Sequence, residues 1–357
     1  MTLSNAKHKI IFVGLSGGVD SSVAAALLKA EGHTVVGVFI RTWQPDFIEC
    51  SFREDRLDAM RVAAHLGIPF LECDAEEVYK RAVAEYMIEE YRAGRTPNPD
   101  VMCNREIKFG VFWEFAKSHG ADAIATGHYA ETENGLLKKA ADPAKDQAYF
   151  LYRLTQEDLV HVFFPLGRLH KTEVRALAKK LGLPTSLKKD SQGICMLGDL
   201  DLKQFLAHYI PEVRGDVLNE SGEVVGYHMG AIFLTVGERH GFTIEKKTPN
   251  DERYYIVAKD IEKNTVTVRA HSSSGTPTAS ASTEFRIDRV TWVSKIPEKE
   301  KKYTAQVRYH GEELSCHVKN IDADSATIIF DAPILAARGQ SIVLFEKNNC
   351  LGGGIIH

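Results

Sequence analysis

Hydrophobic residues fall into two regimes along the chain. In the first, Ile10 to Val13 and Thr34 to Ile40 are short, nearly uninterrupted apolar runs, the pattern of parallel strands covered on both faces. Small and apolar residues from Val23 to Ala30 lie between them and predict a helix, so the three segments form a βαβ unit. A 3.6-residue period predicts a helix from about Glu54 to Leu66, closed by Gly67 and Pro69. A third strand follows at Phe70 to Cys73, then a charged helix at Glu76 to Tyr91, a helix from about Arg105 to His119, and a fourth strand at Ala121 to Thr126. Asn134-Gly135 marks a hairpin turn, and a further helix is expected from about Thr172 to Leu181.

From about Gly215 the pattern changes to short segments of period two separated by glycine-containing turns, such as Ser221-Gly222. Tyr254 to Val257 and Thr265 to Val268 read as strands. The Ser-, Thr- and Ala-rich stretch from His271 to Ser282 reads as a linker. Beyond it, Phe285 to Val293, Tyr303 to Tyr309, Leu314 to Val318, Thr327 to Phe330 and Ser341 to Phe345 alternate. A small closed barrel buries one face of each without leaving edges. The fold class is α/β: an N-terminal parallel-sheet domain over residues 1–205, a small central domain over 206–278 and a C-terminal β-barrel over 279–357.

Composition narrows the class. The 357 residues are 44% hydrophobic, enough for a substantial core. No run approaches a membrane span and no signal-peptide pattern precedes the first strand, so a soluble, cytoplasmic protein without a membrane partner is expected. The net charge of −4 speaks against non-specific attraction to nucleic acid and leaves a local basic groove open. The six cysteines contain no Cys-x-x-Cys pair, which announces neither a zinc knuckle nor an iron–sulfur cluster, and no protein-held metal site is expected.

The turn between the first strand and first helix carries the clearest chemistry. A strand running into a helix leaves the first helical amides aimed at one point, where the macrodipole favours negative charge. Gly14-Leu15-Ser16-Gly17-Gly18-Val19-Asp20-Ser21 is therefore a candidate phosphate loop. It lacks the lysine of a Walker A loop, which disfavours kinase or GTPase chemistry. Its Ser-Gly-Gly-x-Asp-Ser core resembles the loop of the ATP pyrophosphatases, which transfer AMP to a substrate oxygen and release pyrophosphate.

Two cysteines stand out. Thr96-Pro97-Asn98-Pro99 fixes a stiff loop, with Asp100 three residues before Cys103, placed near a helix N-terminus that favours thiolate. Cys195 lies between Gly193 and Gly198, after Lys188 and Lys189, where flexibility and positive charge suit a travelling nucleophile. His128 follows the fourth strand, where a doubly wound sheet lines its crevice.

These motifs together resemble the tRNA-specific 2-thiouridylases over essentially the full length. The matches are the phosphate loop, Gly94 to Asp100 with Cys103-Asn104 and Ile107-Lys108-Phe109, Ala125 to Tyr129, Lys145-Asp146-Gln147, Asp190-Ser191 with Gly193-Ile194-Cys195, and Cys350 to Gly354. The resemblance implies an adenine nucleotide α-hydrolase-like domain, a central domain and a barrel. It also implies ATP-dependent 2-thiolation of the wobble uridine of tRNA, with Mg²⁺ screening the phosphates. It makes Cys195 the persulfide carrier, Cys103 its partner thiol and Asp100 the acid/base. Gly14 to Ser21, Ile40 and Gly127 would hold ATP. Asn98, Pro99 and Asp100 would face the target base, and His128, Lys145, Asp146, Gln147, Arg308, Tyr309 and Gln340 would touch tRNA. The implied partners are tRNAs for Lys, Glu and Gln and a cysteine desulfurase or sulfur relay.

The chain departs from the family pattern at Ile40, Gln192, Met196-Leu197 and Glu238. A carboxylate at 238 only accepts hydrogen bonds where an amide also donates, so an RNA contact there could change. The alternative reading is another pyrophosphate-loop adenylating enzyme acting on a different tRNA position or acceptor.

Overall fold

The computed structural model describes residues 8–47, 52–190, 202–245, 253–270, 280–293 and 295–357. Cys50, Gln192, Cys195 and Met196-Leu197 lie outside them, as does most of the linker at 271–282. The N-terminal layer begins with β1 (Ile10–Gly14), α1 (Val19–Ala30), β2 (Thr34–Arg41), α2 (Phe52–Leu66) and β3 (Phe70–Asp74). Helical residues 76–92 (α3) and 99–118 (α4) follow, each opening into wider π-helical turns, at Lys80–Glu85 and Cys103–Val111. Then come β4 (Ala123–Ala125), β5 (Glu131–Glu133), β6 (Leu136–Lys138), α5 (Gln156–Leu159), β7 (Val162–Phe163), α6 (Lys171–Lys180) and α7 (Leu202–Ala207).

The first sheet is parallel with order β3-β2-β1-β4-β7. The chain leaves β1 toward β2 on one side, while β4 lies on the other. That arrangement puts a topological switch point, and hence a crevice at the strands' carboxyl ends, between β1 and β4. Ile11, Val13 and Ala125 are fully buried, as their apolar runs require.

The central unit is a five-stranded sheet. It comprises β8 (Gly215–Leu218), β9 (Val224–His228), β10 (Phe242–Ile244), β11 (Tyr254–Asp260) and β12 (Thr265–Ala270), ordered β10-β9-β8-β12-β11. The last unit comprises β13 (Ser282–Trp292), β14 (Lys302–Gln306), β15 (Leu314–Ile321), β16 (Ser325–Ile334), β17 (Ser341–Glu346) and β18 (Asn349–Ile356). These run β13-β16-β15-β14-β17-β18, and β13 pairs again with β18 to close a barrel.

Three features differ from the sequence expectation. First, α1 begins at Val19 rather than Val23, because Gly18, extended at φ −92° and ψ 171°, serves as its N-cap. Asp20, Ser21 and Ser22 therefore sit within the first helical turns. Second, α4 begins at Pro99 rather than Arg105. Asn98 caps it by accepting from the Val101 amide at 3.4 Å, with proline at the first helical position, where its missing N–H leaves no bond unmade. Asp100 and Cys103 are thus helical residues. Third, β18 is a strand where the sequence shows only a glycine motif. Its glycines let strands close at the seam: a Cβ on Gly352 (φ +126°) would lie 2.0 Å from the Thr291 carbonyl, and one on Gly353 2.1 Å from that of Ile342.

The β5-β6 hairpin turns at Asn134 (φ 53°) and Gly135 (φ 74°), the left-handed pair of a type I′ turn. It does not join the first sheet. Its second strand extends the barrel sheet through Leu137 opposite Cys350 and Lys138 opposite Asn349, so an element of the N-terminal half is built into the C-terminal one.

Candidate active site

The loop after β1 is held by its own side chains. The Ser16 amide donates to the Ser21 hydroxyl at 3.2 Å, and the Ser22 hydroxyl donates to the Gly18 carbonyl at 2.6 Å. Leu15 is buried and its amide donates to the Val38 carbonyl at 2.7 Å. Gly17 adopts φ +73°, and a Cβ there would lie 2.3 Å from the Asp55 carbonyl at the start of α2; only glycine fits. Gly127 plays the same part across the crevice, because its Cβ would lie 2.6 Å from the Ser21 amide. The loops after β1 and β4 thus close on the N-terminus of α1. Ile40, at the end of β2, is mostly buried and approaches the backbone at Gly14.

The loop has a cation after all, delivered from elsewhere. Lys171, the first residue of α6, places Nζ 2.8 Å from both carboxylate oxygens of Asp20 and 2.9 Å from Asp190. Tyr129 donates its hydroxyl to Asp20 at 2.9 Å. Burial and the adjacent Asp20 charge push that phenol's pKa up. Asp190 also receives Lys145 at 3.1 Å and a contact from Arg175. Burial alone would raise its pKa, but the hydrogen bonds from Lys171 and Lys145 outweigh it and hold the carboxyl down at about 2. Lys171 could not be foreseen from the loop, since 151 positions separate it from Asp20. The available signal was a lysine opening a helix that follows the sheet.

Of the tRNA-contact candidates, Lys145 points to Asp190, while Gln147 accepts from the Tyr129 amide at 3.0 Å. The Asp146 carboxylate accepts from the Ala140 amide at 2.8 Å, and burial raises its pKa. Arg308 is exposed and Tyr309 half-buried, the latter packing on Phe150 with ring centroids 4.3 Å apart. Tyr309, Asp146, Lys139 and Lys347 line an open cleft of about 650 Å³ between the segment after the hairpin and the barrel. Gln340 turns its amide inward, donating to the Thr96 carbonyl at 2.9 Å. His128 is only 7% exposed. Its ring bonds to Thr126 at 2.7 Å and faces Lys108 at 3.3 Å. Burial, then the Lys108 charge, drives its pKa well below the usual histidine value, so the ring is neutral.

Cys103 is fully buried, in one core cluster with Ile40, Ile107 and Phe109. Beside it, Asn104 donates to the Phe150 carbonyl at 3.1 Å. Asn98 and Ser341 both bear on the Tyr149 hydroxyl. Cys350 is buried and its thiol pushed up to about 12, which leaves it a poor nucleophile at neutral pH. Glu238 accepts from the Thr235 amide at 2.8 Å and pairs with His240 at 2.9 Å. Among the described residues no helix is long and apolar enough to cross a membrane, and no group of three His, Cys, Asp or Glu could hold a metal ion.

Comparison with known proteins adds the family. Residues 9–199 match a tRNA methyl transferase HUP domain, 203–270 a tRNA methyl transferase PRC-barrel domain, and 282–356 an aminomethyltransferase beta-barrel domain. The tRNA-specific 2-thiouridylase MnmA of Thiobacillus denitrificans is 43% identical over 359 residues, covering 97% of this chain and 99% of that protein. The protein of the same name from Geobacillus thermodenitrificans is 43% identical over 364 residues, covering 99% and 96%. With all three domain models matched in order and relatives aligned end to end, the chain belongs to the tRNA-specific 2-thiouridylase family.

Proposed function

We propose that this protein is a tRNA 2-thiouridylase that adenylates the wobble uridine at O2 with ATP and then replaces that oxygen with sulfur. The observation that carries the reading is the crevice at the β1/β4 switch point. Its serine- and glycine-lined helix N-terminus and the Lys171 ammonium form a polyphosphate cradle. A methyl-transfer reading, suggested by the domain descriptions, gives that cradle nothing to bind, because a methyl donor of the sulfonium type carries no phosphate. Full-length relatives carry the thiouridylase name.

The chemistry assigns the roles. Attack of O2 on the α-phosphorus of ATP expels pyrophosphate. The outer sulfur of a Cys195 persulfide then attacks C2 and displaces AMP. Attack of the Cys103 thiolate on the Cys195 sulfur frees the thiolated base and leaves a disulfide between the two cysteines, which a thiol reductant reopens. Asp100, one helical turn before Cys103, would move the proton, and Asn98 to Asp100 would face the base. Ile40 and Gly127 flank the nucleotide. Lys145, Arg308 and Tyr309 offer contacts to RNA. Mg²⁺, where bound, would neutralise phosphate charge, and Asp20 and Asp190 are the carboxylates beside the loop that could reach it. The acceptors are inferred to be tRNAs for Lys, Glu and Gln, and the donor a desulfurase or sulfur relay in the cytoplasm. The inferred units are 1–205, 206–278 and 279–357.

The test is thiolation of unmodified tRNA with purified protein, ATP, Mg²⁺ and a sulfur source, read on a mercury-containing gel alongside pyrophosphate release. An ATP-dependent retarded band that disappears when the wobble uridine is changed to cytidine is expected. Pyrophosphate release with no retardation would keep the adenylation chemistry and point to a missing sulfur donor or another acceptor. Full multi-turnover thiolation by Cys103→Ser would remove the two-cysteine scheme.

A further inference from the structure

Among the described residues, three buried side-chain polar atoms have no hydrogen-bond partner: Asn104 Oδ1, Arg153 Nε and His228 Nε2. The guanidinium nitrogen is a donor. So is the histidine nitrogen, because His228 Nδ1 accepts from the Gly230 amide at 3.0 Å and burial keeps the ring neutral, which leaves its proton on Nε2. Asn104 Oδ1 is therefore the orphaned acceptor of the three. Buried polar groups are paired as a rule, and this one lies on the residue next to Cys103.

The orientation of the amide is fixed. Asn104 is only 3% exposed and belongs to the wide helical turn that opens at Cys103. Its side-chain nitrogen donates to the Phe150 carbonyl at 3.1 Å. A carbonyl only accepts, so the amide cannot turn over, and its oxygen is the end left open. The Phe150 backbone is itself held, its amide donating to the Gln147 carbonyl at 3.0 Å, and its ring packs on Tyr309. Asn98, from the segment expected to face the target base, bears on the hydroxyl of the adjacent Tyr149. Asn98 and the open oxygen of Asn104 thus lie against one short turn, Ala148–Leu151. Cys103 is fully buried in a cluster that includes Ala148, Tyr149 and Leu151. A substrate that reaches its thiol must part the packing of α4 on this turn, which also covers Asn104.

We propose that Asn104 is a specificity-determining residue for the target base, its Oδ1 accepting the N3–H of uridine. This inference rests on the thiouridylase reading and deepens it. Position 3 adjoins the reacting C2–O2 group, and there the two pyrimidines differ: uridine carries a hydrogen, cytidine a lone pair. A locked acceptor pairs with the first and is set against a second acceptor by the other. A site built to hydrogen-bond a substrate N–H discriminates against an analogue that lacks it, because the site's own polar group is then left unpaired.

The test is a cycle between protein and base. tRNA carrying at the wobble position either uridine or 3-deazauridine, which has C–H in place of N3–H and keeps both oxygens, is given to the unchanged protein and to Asn104→Leu. The kcat/KM for tRNA is read from pyrophosphate release at saturating ATP. Asn104→Leu also loses the bond to Phe150, but that loss falls on both substrates and cancels in the ratio. The unchanged protein should prefer uridine by about tenfold or more beyond the preference of Asn104→Leu, the scale of one hydrogen bond in a site built for it. Asn104→Asp retains an acceptor and should keep the preference. Asn104→Ala repeats the loss and serves if the leucine variant does not fold. A uridine preference that survives undiminished in the leucine or alanine variant overturns the proposal. So does an unchanged protein that treats the two bases alike, or an aspartate variant that loses the preference. Absence of pyrophosphate release by the unchanged protein with uridine-bearing tRNA would instead strike the underlying thiouridylase reading.

Discussion

Lys171→Met is the most direct probe of the phosphate cradle. The methionine retains most of the stem but removes the ammonium that lies 2.8 Å from Asp20 and 2.9 Å from Asp190. The Lys171 side chain is 14% exposed while the two carboxylates are 32% and 34% exposed. Solvent and the remaining partners, Lys145 and Arg175 on Asp190, screen much of the loss in the nucleotide-free state. Fold stability should therefore fall by only about 1 kcal/mol. The ATP-bound state has no such relief. A hydrogen bond to a charged group is worth about 1.5–3 kcal/mol, which corresponds to roughly a tenfold to hundredfold loss in kcat/KM for ATP. Pyrophosphate release at saturating tRNA and varied ATP reads this directly, and equilibrium ATP binding separates affinity from turnover. The Asp190 pKa is depressed to about 2. Its pairing is thus fully present above the ordinary carboxylate range near 4 and is lost only as pH falls through about 2. The size of the defect should then be constant between pH 6 and 8. A methionine variant whose kcat and KM for ATP both stay within twofold of the unchanged protein would refute the cradle.

Three other outcomes follow from the same geometry. Gly127→Ala puts a methyl 2.6 Å from the Ser21 amide, so the crevice must open, and KM for ATP should rise by about tenfold, a 1–2 kcal/mol effect, in the pyrophosphate assay. The neutral, buried His128 resists protonation while the unfolded chain accepts a proton near pH 6.5, so stability should fall as pH drops below that value, by up to about 1.4 kcal/mol per unit. Denaturant titrations from pH 7 to 5 should show that slope flattened in His128→Asn. Gly352→Ala forces a side chain into left-handed backbone against the Thr291 carbonyl and should open the barrel seam, costing about 2–3 kcal/mol, visible as a lowered midpoint in thermal unfolding.

The sheet and barrel were legible because burial on both faces and on one face leave different periods, and both periods survive in the sequence. Element starts were less so. Gly18 and Asn98 each begin a helix several residues before the apolar period becomes visible, since first helical turns at a phosphate loop or behind a proline carry polar residues. β18 escaped because a run of glycines has no alternation to read, although the seam it closes admits nothing larger. The hairpin after Asn134 was legible as a hairpin, but its partner was not, because the pairing of Leu137 with Cys350 is a contact across most of the chain that no local period encodes.

The same distinction separates two kinds of site residue. The Ser16-Gly17-Gly18 loop and the Pro97-to-Cys103 segment are local, and their chemistry follows from a strand, a turn and a helix cap in sequence. Lys171 and Gln340 act at a distance. The first supplies the ammonium that the phosphate loop lacks; the second supplies a donor to a loop from which prolines have removed amides. In both cases the local motif contains a visible deficit: a phosphate loop without a lysine, and a loop in which Pro97 and Pro99 lack backbone amides. Such a deficit can be read from sequence even when its remedy cannot, because a buried polar or phosphate-binding group must find its partner somewhere in the fold. A motif that is incomplete by its own chemistry therefore marks where a remote residue must arrive, and here helix α6 and the residue before β17 bring it.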